Sequence, residues 1–192
     1  MSQEPSAPRS IRQAHADRTR LAILASARHL FARHGYAEAG VRDIAAHAGV
    51  NPALVGRYFG SKLELFEAAL EASFDVTHFT RAGRETFGKA LAADFCLALP
   101  EAAGAVPMLI LAAGDTAARD VALKVLTRQV VEPLRQWFGE PEPAERAAQL
   151  IAVVTGFYTY RLMLPLATIA DVPTPAMQRW LADTLQEIVD RR

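Results

Sequence analysis

Cationic and hydroxyl side chains cluster in the segment 42–62 of the chain. Arg42, Arg57 and Lys62 carry positive charge, and Tyr58 adds a hydroxyl group. Guanidinium and ammonium groups bind phosphate oxygens, and an arginine also pairs with the two acceptor atoms that guanine presents in the major groove of DNA. The chemistry indicated by these residue types is therefore recognition of a nucleic acid rather than catalysis.

One short helix must position the centre of this segment. Asn51 is a preferred N-cap residue, Pro52 suits the first helical position, and Gly60 ends the helix. Val55 and Phe59 lie one turn apart, so we expect both to face the core. The outward face is then formed by small residues and one cation, namely Ala53, Leu54, Gly56 and Arg57, preceded by Pro52.

This small, nearly flat face suits the major groove, where a helix must press close to the base edges. Arg57 could pair with guanine, and Leu54 or Ala53 could contact a thymine methyl group. Two alternatives stay open. Arg57 could contact phosphate or be an ordinary solvated arginine, and Leu54 could pack sideways on the first helix.

Flanking residues are expected to contact the phosphate backbone, which positions a duplex without reading its sequence. Lys62 and the backbone amides at the start of the next helix would form an anion site. Tyr58 could donate its hydroxyl to phosphate, and Arg42 could reach either phosphate or a base. Tyr36 is a weaker candidate, since it could equally pack between helices.

The helix that starts after this segment has a capping-box pattern, Ser61 followed by Glu64. Acidic residues and one histidine continue along it at helical spacing, namely Glu64, Glu67, Glu71, Asp75 and His78. Such a stripe could be imagined as a metal site, but a solvated helix face is the expected interpretation. We predict no metal, no cofactor and no catalytic residue.

Two further helices precede the central one. The first helix has an apolar face and should end at Gly35, and the second helix is short. The apolar residues of the first are Ile23, Leu24, Ala27, Leu30 and Phe31, and those of the second are Val41, Ile44, Ala45 and Ala48. Two short helices joined by a tight glycine-containing turn, and packed on a longer first helix, describe a helix-turn-helix.

The rest of the chain is predicted to be helical, at about 62–79, 85–99, 104–113, 115–138, 143–164 and 174–190. We therefore expect an all-α protein of about nine helices. Residues 1–16, rich in Ser, Pro and Ala, are expected to form a disordered arm that is either inert or touches DNA through its arginines. Residues 17–62 would be the DNA-binding domain, and residues 63–192 a helical regulatory domain.

Bulk composition agrees with this division. The 192 residues are 51% hydrophobic and 22% charged, with a net charge of zero. However, residues 1–62 carry nine Lys and Arg against four Asp and Glu, whereas residues 63–192 carry twelve against seventeen. The single cysteine, Cys96, excludes an internal disulfide and is expected to be buried. No apolar run approaches the roughly 20 residues of a membrane helix, so we expect a cytoplasmic protein without a membrane partner.

The segment from Thr19 to Leu70 resembles the N-terminal domain of the tetracycline-repressor (TetR) family. The resemblance is carried, in order, by ASARHLFARHGY at residues 25–36, VRDIA at 41–45, AGVN at 48–51, and Tyr58-Phe59 followed by Ser61-Lys62. Residues 130–134 and 147–167 and the final helix resemble the family's regulatory domains less specifically. The sequence departs from the common pattern at Gly40, where a threonine is usual, and at Gly56, where a tyrosine is often found.

The resemblance implies a homodimer that binds double-stranded DNA, and a helical body that holds a small-molecule effector. The predicted effector-binding residues are Phe74, Phe79, Phe95, Met108, Leu111, Trp137, Tyr158 and Arg161. The last two long helices carry more apolar surface than one core needs, which predicts a dimer interface formed by Val153, Val154, Phe157, Trp180, Leu181, Leu185 and Ile188.

These features predict a sequence-specific transcription regulator, a repressor that a small, mainly apolar effector releases from a palindromic operator. Two alternatives remain at this point. One is a helical enzyme or carrier that uses the C-terminal cavity, and the other is an architectural DNA-binding protein without a ligand.

Overall fold

The computed structural model describes residues 7–75, 80–81, 83–98 and 104–191, and these residues contain no β-strand. The prediction of an all-α protein is therefore confirmed. The helices are α1 (Ala7–Glu38), α2 (Val41–His47), α3 (Pro52–Phe59), α4 (Lys62–Glu71), α5 (Phe87–Leu97), α6 (Ala105–Ala112), α7 (Thr116–Leu126), α8 (Glu132–Phe138), α9 (Pro143–Tyr158) and α10 (Pro175–Asp190). A π-helical segment, Thr127–Val131, joins α7 to α8, and a second one, Thr159–Met163, extends α9.

Helix α1 begins earlier than the sequence predicts. It starts at Ala7 rather than Asp17, so residues 7–16 are helical, whereas residues 1–6 lie outside the described part of the chain. Local bonds one turn apart support this start, since the side chain of Gln13 donates to the Asp17 carboxylate. Gly35 ends the regular helix as predicted, because its φ of +75° is a left-handed conformation that favours glycine.

The first three helices pack on α4, α6 and α7 around one hydrophobic cluster. Ile23 and Phe31 of α1 are fully buried in it, as are Phe66 of α4 and Met108 of α6. The cluster therefore contains residues from both sides of the domain boundary predicted at residue 62. That boundary stays a prediction, and the shared cluster means that the two parts are packed together.

A second hydrophobic cluster forms the core of the C-terminal body. In this body α5 lies along α10, and α8 and α9 lie beside them. Gly88 allows this close approach, because a Cβ atom at that position would collide with the α10 backbone at Ala182. Its amide also donates to the side chain of Gln186 on α10, at 2.9 Å. None of the described helices is long and apolar enough to cross a membrane.

Arg146 is a buried charge at the end of this body. Its residue is 0% exposed, and its guanidinium donates to the carbonyls of Ile188 and Val189 at 2.9 and 2.7 Å. The guanidinium also lies over the Phe138 ring, 4.5 Å from its centroid. A cation at the C-terminal end of α10 lies at the negative end of the helix dipole. Arg146 therefore caps the C-terminus of α10.

Candidate nucleic-acid interface and ligand cavity

Helix α3 has the two faces that its spacing predicts. Val55 and Phe59 are buried, at 2% and 9% exposure. On the opposite side, Ala53, Gly56 and Arg57 are exposed to solvent. A Cβ atom at Gly56 would meet nothing within 4 Å, so this side of the helix is open.

Local capping fixes where α3 begins. The side chain of Asn51 accepts a hydrogen bond from the amide of Ala53 at 2.9 Å, and Pro52 occupies the start of the helix, where it is exposed. Leu54 is half-buried and packs against the N-terminal cluster. Leu54 is thus partly packed and partly exposed, and both alternatives for its role stay predictions.

Helix α2 carries Arg42 in an exposed position beside α3. Gly40 precedes the helix and provides no side-chain cap, and a Cβ atom there would lie 2.6 Å from the carboxylate of Asp43. The end of α2 is held to α1, since Ser26 Oγ and His47 Nδ1 are 2.9 Å apart. Residue 40 therefore brings no hydroxyl to this surface.

The start of α4 is a complete capping box. Ser61 Oγ accepts from the amide of Glu64 at 3.1 Å, and the Glu64 carboxylate accepts from the amide of Ser61 at 2.7 Å. Hydrogen bonds with Ser61 hold the pKa of Glu64 below its usual range. Two of the amides expected to attract an anion are thus already paired, and a carboxylate lies beside them. The Lys62 ammonium would therefore be the main attraction for an anion at this point.

Lys62 is itself held by α1. Its ammonium donates to the carbonyl of Ala37 at 3.1 Å and lies 4.6 Å from the centroid of the Tyr36 ring. Tyr58, the remaining flanking candidate, is half-buried against the same hydrophobic cluster. The contact between Lys62 and Tyr36 could not be predicted from local spacing, because the two residues are far apart along the chain.

The C-terminal body contains an apolar cavity of about 250 Å³. Its described walls come from the end of α4 and from α5 to α9, and they include Phe74, Phe87, Leu91, Phe95, Val106, Leu109, Leu126, Val130, Leu134, Leu150, Ile151 and Val154. Ser73, Asp75 and Thr155 add polar atoms. Phe74 and Phe95, both predicted as effector-binding residues, thus lie in the cavity wall, whereas Phe79 lies outside the described residues.

The structure corrects the placement of two predicted effector residues on α6. Met108 is 0% exposed and belongs to the N-terminal cluster, where it packs with α1 and α4. Leu111 lies at the outer end of α6, close to Gly35 of α1. Neither residue lines the cavity. The two faces of α6 serve different purposes, and its almost wholly apolar sequence could not indicate which residues face which side.

Three more predicted effector residues are not part of the described cavity wall. Trp137 packs against Phe87, with 4.8 Å between the ring centroids. Tyr158 meets Phe95 edge-on at 6.3 Å, and burial raises the pKa of its hydroxyl. Arg161 is 6% exposed and donates to the carbonyl of Ala98 at the end of α5, so it caps that helix rather than entering the cavity.

Most of the predicted dimer residues are buried within a single chain. Phe157, Leu181, Leu185 and Ile188 belong to the C-terminal cluster, and Val154 lines the cavity. The apolar stripe of α10 is covered by α5 of the same chain, so it is not surplus surface, and the composition of a dimer interface stays a prediction. Val153 is half-buried, and Trp180 remains 52% exposed.

The acidic stripe on α4 is used in ion pairs. Glu67 lies 3.0 Å from the ammonium of Lys124 on α7, and Glu71 pairs with Arg128. The described residues contain no group of three side chains that could hold a metal ion. Cys96 is buried, as expected, and burial raises the pKa of its thiol.

Comparison with known protein families decides the relationship. Residues 23–69 match the model of bacterial regulatory proteins of the tetR family, and residues 85–189 match that of the tetracyclin repressor-like C-terminal domain. The second match alone covers more than half of the chain. The chain belongs to the TetR family. Its family is therefore one of regulators rather than of enzymes.

An individual relative of this TetR-family chain is similar to it over only part of its length. The HTH-type transcriptional repressor Rv3405c of Mycobacterium tuberculosis is 50% identical over 50 residues, which are 26% of this chain and 27% of the relative. The chain thus matches about a quarter of that protein's length.

Solved structures share the fold of this TetR-family chain. A TetR-family transcriptional regulator from Rhodococcus sp. superposes with a TM-score of 0.70 at 18% identity, covering 91% of this chain and 100% of the other. A transcriptional regulator from Saccharomonospora viridis in complex with choline gives 0.62 at 19% identity, covering 87% and 95%. At these identities the likeness establishes the fold alone.

Proposed function

We propose that this TetR-family protein is a sequence-specific DNA-binding regulator that acts as a repressor at a palindromic operator. The observation that carries the proposal is the outer face of α3. This face combines exposed small residues with the exposed cation of Arg57, and the opposite face of the helix buries Val55 and Phe59. A helix with such a face can approach base edges closely, and its arginine can read a guanine.

Phosphate contacts on either side would fix the register of α3. Arg42 is exposed at the start of α2, and Lys62 begins α4 immediately after the end of α3. The predicted interface therefore comprises Arg42, Pro52, Ala53, Leu54, Gly56, Arg57, Tyr58 and Lys62. Residues 17–62 would form the reading head, and residues 63–192 would hold the effector and the dimer contact.

The effector is proposed to occupy the apolar cavity. Its volume of about 250 Å³ is slightly below the roughly 300–1,000 Å³ of common ligand sites, so a small molecule is expected. The described wall contains Asp75 but no Lys, Arg or His. A neutral or cationic ligand should therefore bind better than an anion. The complex of a regulator with this fold and choline supports a small-molecule effector for this chain.

Helix α6 contacts both the cavity and the first helix of the DNA-binding domain. Val106 and Leu109 line the cavity, whereas Met108 and Leu111 pack towards α1. A rigid helix that is displaced at one face moves at the other as well. We therefore expect an effector to act on α1 through α6.

Selection from a pool of random DNA duplexes tests the proposal. The full chain should enrich a palindrome whose half-sites lie about one helical turn, or a multiple of it, apart. Binding should weaken steeply as salt rises, because phosphate contacts release counterions. The proposal fails if no sequence is enriched at moderate salt.

A thermal-shift screen with lipophilic ammonium compounds and their neutral carbon analogues tests the effector. A ligand of the cavity should raise the melting temperature and lower the affinity for the selected duplex. Val106→Phe, which fills the cavity, should abolish the thermal shift, whereas Leu97→Phe on the exposed side of α5 should not. Ligand turnover would favour the enzyme alternative, and a lack of any ligand the architectural one.

A further inference from the structure

The ammonium of Lys62 is held before any DNA arrives. It donates one hydrogen to the carbonyl of Ala37, at 3.1 Å, and lies over the ring of Tyr36, 4.6 Å from the centroid. A lysine ammonium has three donors, so the others stay available for a phosphate oxygen. A free lysine must lose its rotamer freedom when it binds. A lysine that the fold already holds has lost much of that freedom.

The ring of Tyr36 is fixed by the core beneath it. It stacks on Phe31 at 6.1 Å between centroids and meets Phe66 edge-on at 5.3 Å. Phe31 and Phe66 are both 0% exposed and contact each other at 5.1 Å. Tyr36 itself is half-buried, so one part of its side chain belongs to the core and another part to the surface.

The backbone beside Tyr36 is fixed as well. A Cβ atom at Gly35 would lie only 3.1 Å from Cβ of Leu111, so the end of α1 is wedged against α6. Burial, and after it the charge of Asp115 at the N-cap of α7, raises the pKa of the Tyr36 hydroxyl. The aromatic core, the end of α6 and the start of α7 thus surround the residue on which Lys62 rests.

We infer that Tyr36 is a positioning residue for DNA binding: its ring and the end of α1 hold the Lys62 ammonium in place for a backbone phosphate. This inference rests on the proposed function, because it assumes that Lys62 contacts DNA. The observation behind it is independent of α3. It is the joint placement of one ammonium over an aromatic face and against a backbone carbonyl just beyond the regular part of α1.

Tyr36→Leu and Tyr36→Phe form the matched pair that tests the role of the ring. Leucine fills the core but offers no aromatic face, whereas phenylalanine keeps the face and loses only the hydroxyl. Tyr36→Leu should weaken binding to the selected duplex about twofold to fivefold per half-site. It should also lower the slope of log affinity against log salt by up to about one per half-site. Tyr36→Phe should bind like the wild type.

A double-variant cycle separates positioning from general stability. Lys62→Met removes the ammonium, so adding Tyr36→Leu to it should cause no further loss of affinity. An upfield shift of the Lys62 side-chain methylene protons, caused by the aromatic ring, should be present in the wild type and in Tyr36→Phe, and absent in Tyr36→Leu. Circular dichroism and melting curves identify the temperatures at which every variant is folded.

The outcomes distinguish the inference from the proposed function. If the wild type selects no duplex, the proposed function fails, and this inference fails with it. If the wild type binds but Tyr36→Leu leaves affinity and salt slope unchanged, only the inference is overturned. Additive losses in the double variant would overturn it too, because Tyr36 would then act independently of Lys62.

Discussion

The structural role of some side chains in this protein cannot be predicted from the residue type alone. Arg146 lies on a helix with a mixed surface and resembles any solvated arginine in the sequence, yet it is the largest fully buried side chain of the described residues. Burial and the neighbouring Arg84 and Arg191 lower the pKa of its guanidinium. Its charge is tolerated because helix-terminal carbonyls surround it.

Replacing Arg146 by alanine should destabilise the fold strongly. The carbonyls of Ile188 and Val189 would lose their donors, and each buried group left without a partner costs roughly 1–3 kcal/mol. Urea unfolding measures the loss. Arg135→Ala is the control, because Arg135 is exposed and forms a surface ion pair with Glu132, which predicts a change below about 0.5 kcal/mol. Equal losses in both variants would contradict this role of Arg146.

Two glycines should respond to alanine in opposite directions. Gly56 lies inside α3 with open space around it, so Gly56→Ala should stabilise the protein by about 0.5–1 kcal/mol through helix propensity. Gly35 has a φ of +75° and faces Leu111, so Gly35→Ala should destabilise it. Melting temperatures report both effects. If Gly56→Ala lowers the melting temperature, α3 is not the regular helix described here.

At the scale of the helices, local capping signals predicted where α3 and α4 begin, and tertiary packing determined which faces are buried. The start of α3 at Pro52 and of α4 at Lys62 followed from residues next to them, namely the Asn51 cap and the capping box at Ser61. These signals need no distant partner.

Which neighbour covers an apolar stripe is a different kind of question. The spacing of Leu181 and Leu185 shows that one side of α10 is buried, but it does not tell whether α5 or a second copy of the chain covers it. The same holds for Met108 on α6, which packs towards α1 although the helix also lines the cavity. Element positions could therefore be predicted, whereas the division into core, cavity and interface could not.

The capping box of α4 should make stability depend on pH. Hydrogen bonds with Ser61 lower the pKa of Glu64 in the folded state. Their contribution is therefore present above the ordinary carboxyl pKa of the unfolded chain and is lost as the pH falls through the lower, folded value. Ser61→Ala should raise the Glu64 pKa, as measured by NMR titration of the carboxyl carbon. An unchanged pKa would mean that the capping box does not form in solution.

At the scale of the whole molecule, we propose that a second copy contacts exposed apolar residues of the last two long helices. Trp180 is 52% exposed, and Tyr160 and Leu164 near the end of α9 are exposed as well. These residues replace the buried leucines of α10 as the proposed dimer contact. Exposed apolar side chains of this size are the kind of surface that a dimer contact would cover.

Trp180→Arg should convert a dimer to a monomer without unfolding it, because the new charge would lie in the contact but not in the core. Sedimentation velocity measures the change in mass, and circular dichroism verifies the helices. Leu97→Arg, on an exposed residue of α5, is the control and should leave the dimer intact. A dimer that persists in Trp180→Arg would place the interface elsewhere.

The two hydrophobic clusters give the molecule its overall arrangement. The N-terminal cluster fixes α3 relative to α6 and α7, and the C-terminal cluster surrounds the cavity, with α6 contributing to both regions. An occupied cavity and a bound duplex would therefore act on one connected body. This arrangement makes the outer face of α3 the point at which the whole account can be tested.

The most direct measurement repeats the selection from random duplexes with Arg57→Ala beside the wild type. The account predicts that the wild type enriches a palindrome and that Arg57→Ala loses its preference at one position in each half-site. The loss of affinity should be roughly 1–3 kcal/mol. Arg33→Ala, an exposed cation on α1, is the control and should keep every preference. If Arg57→Ala enriches the same palindrome with the same affinity, α3 does not read DNA through Arg57, and the central claim is contradicted.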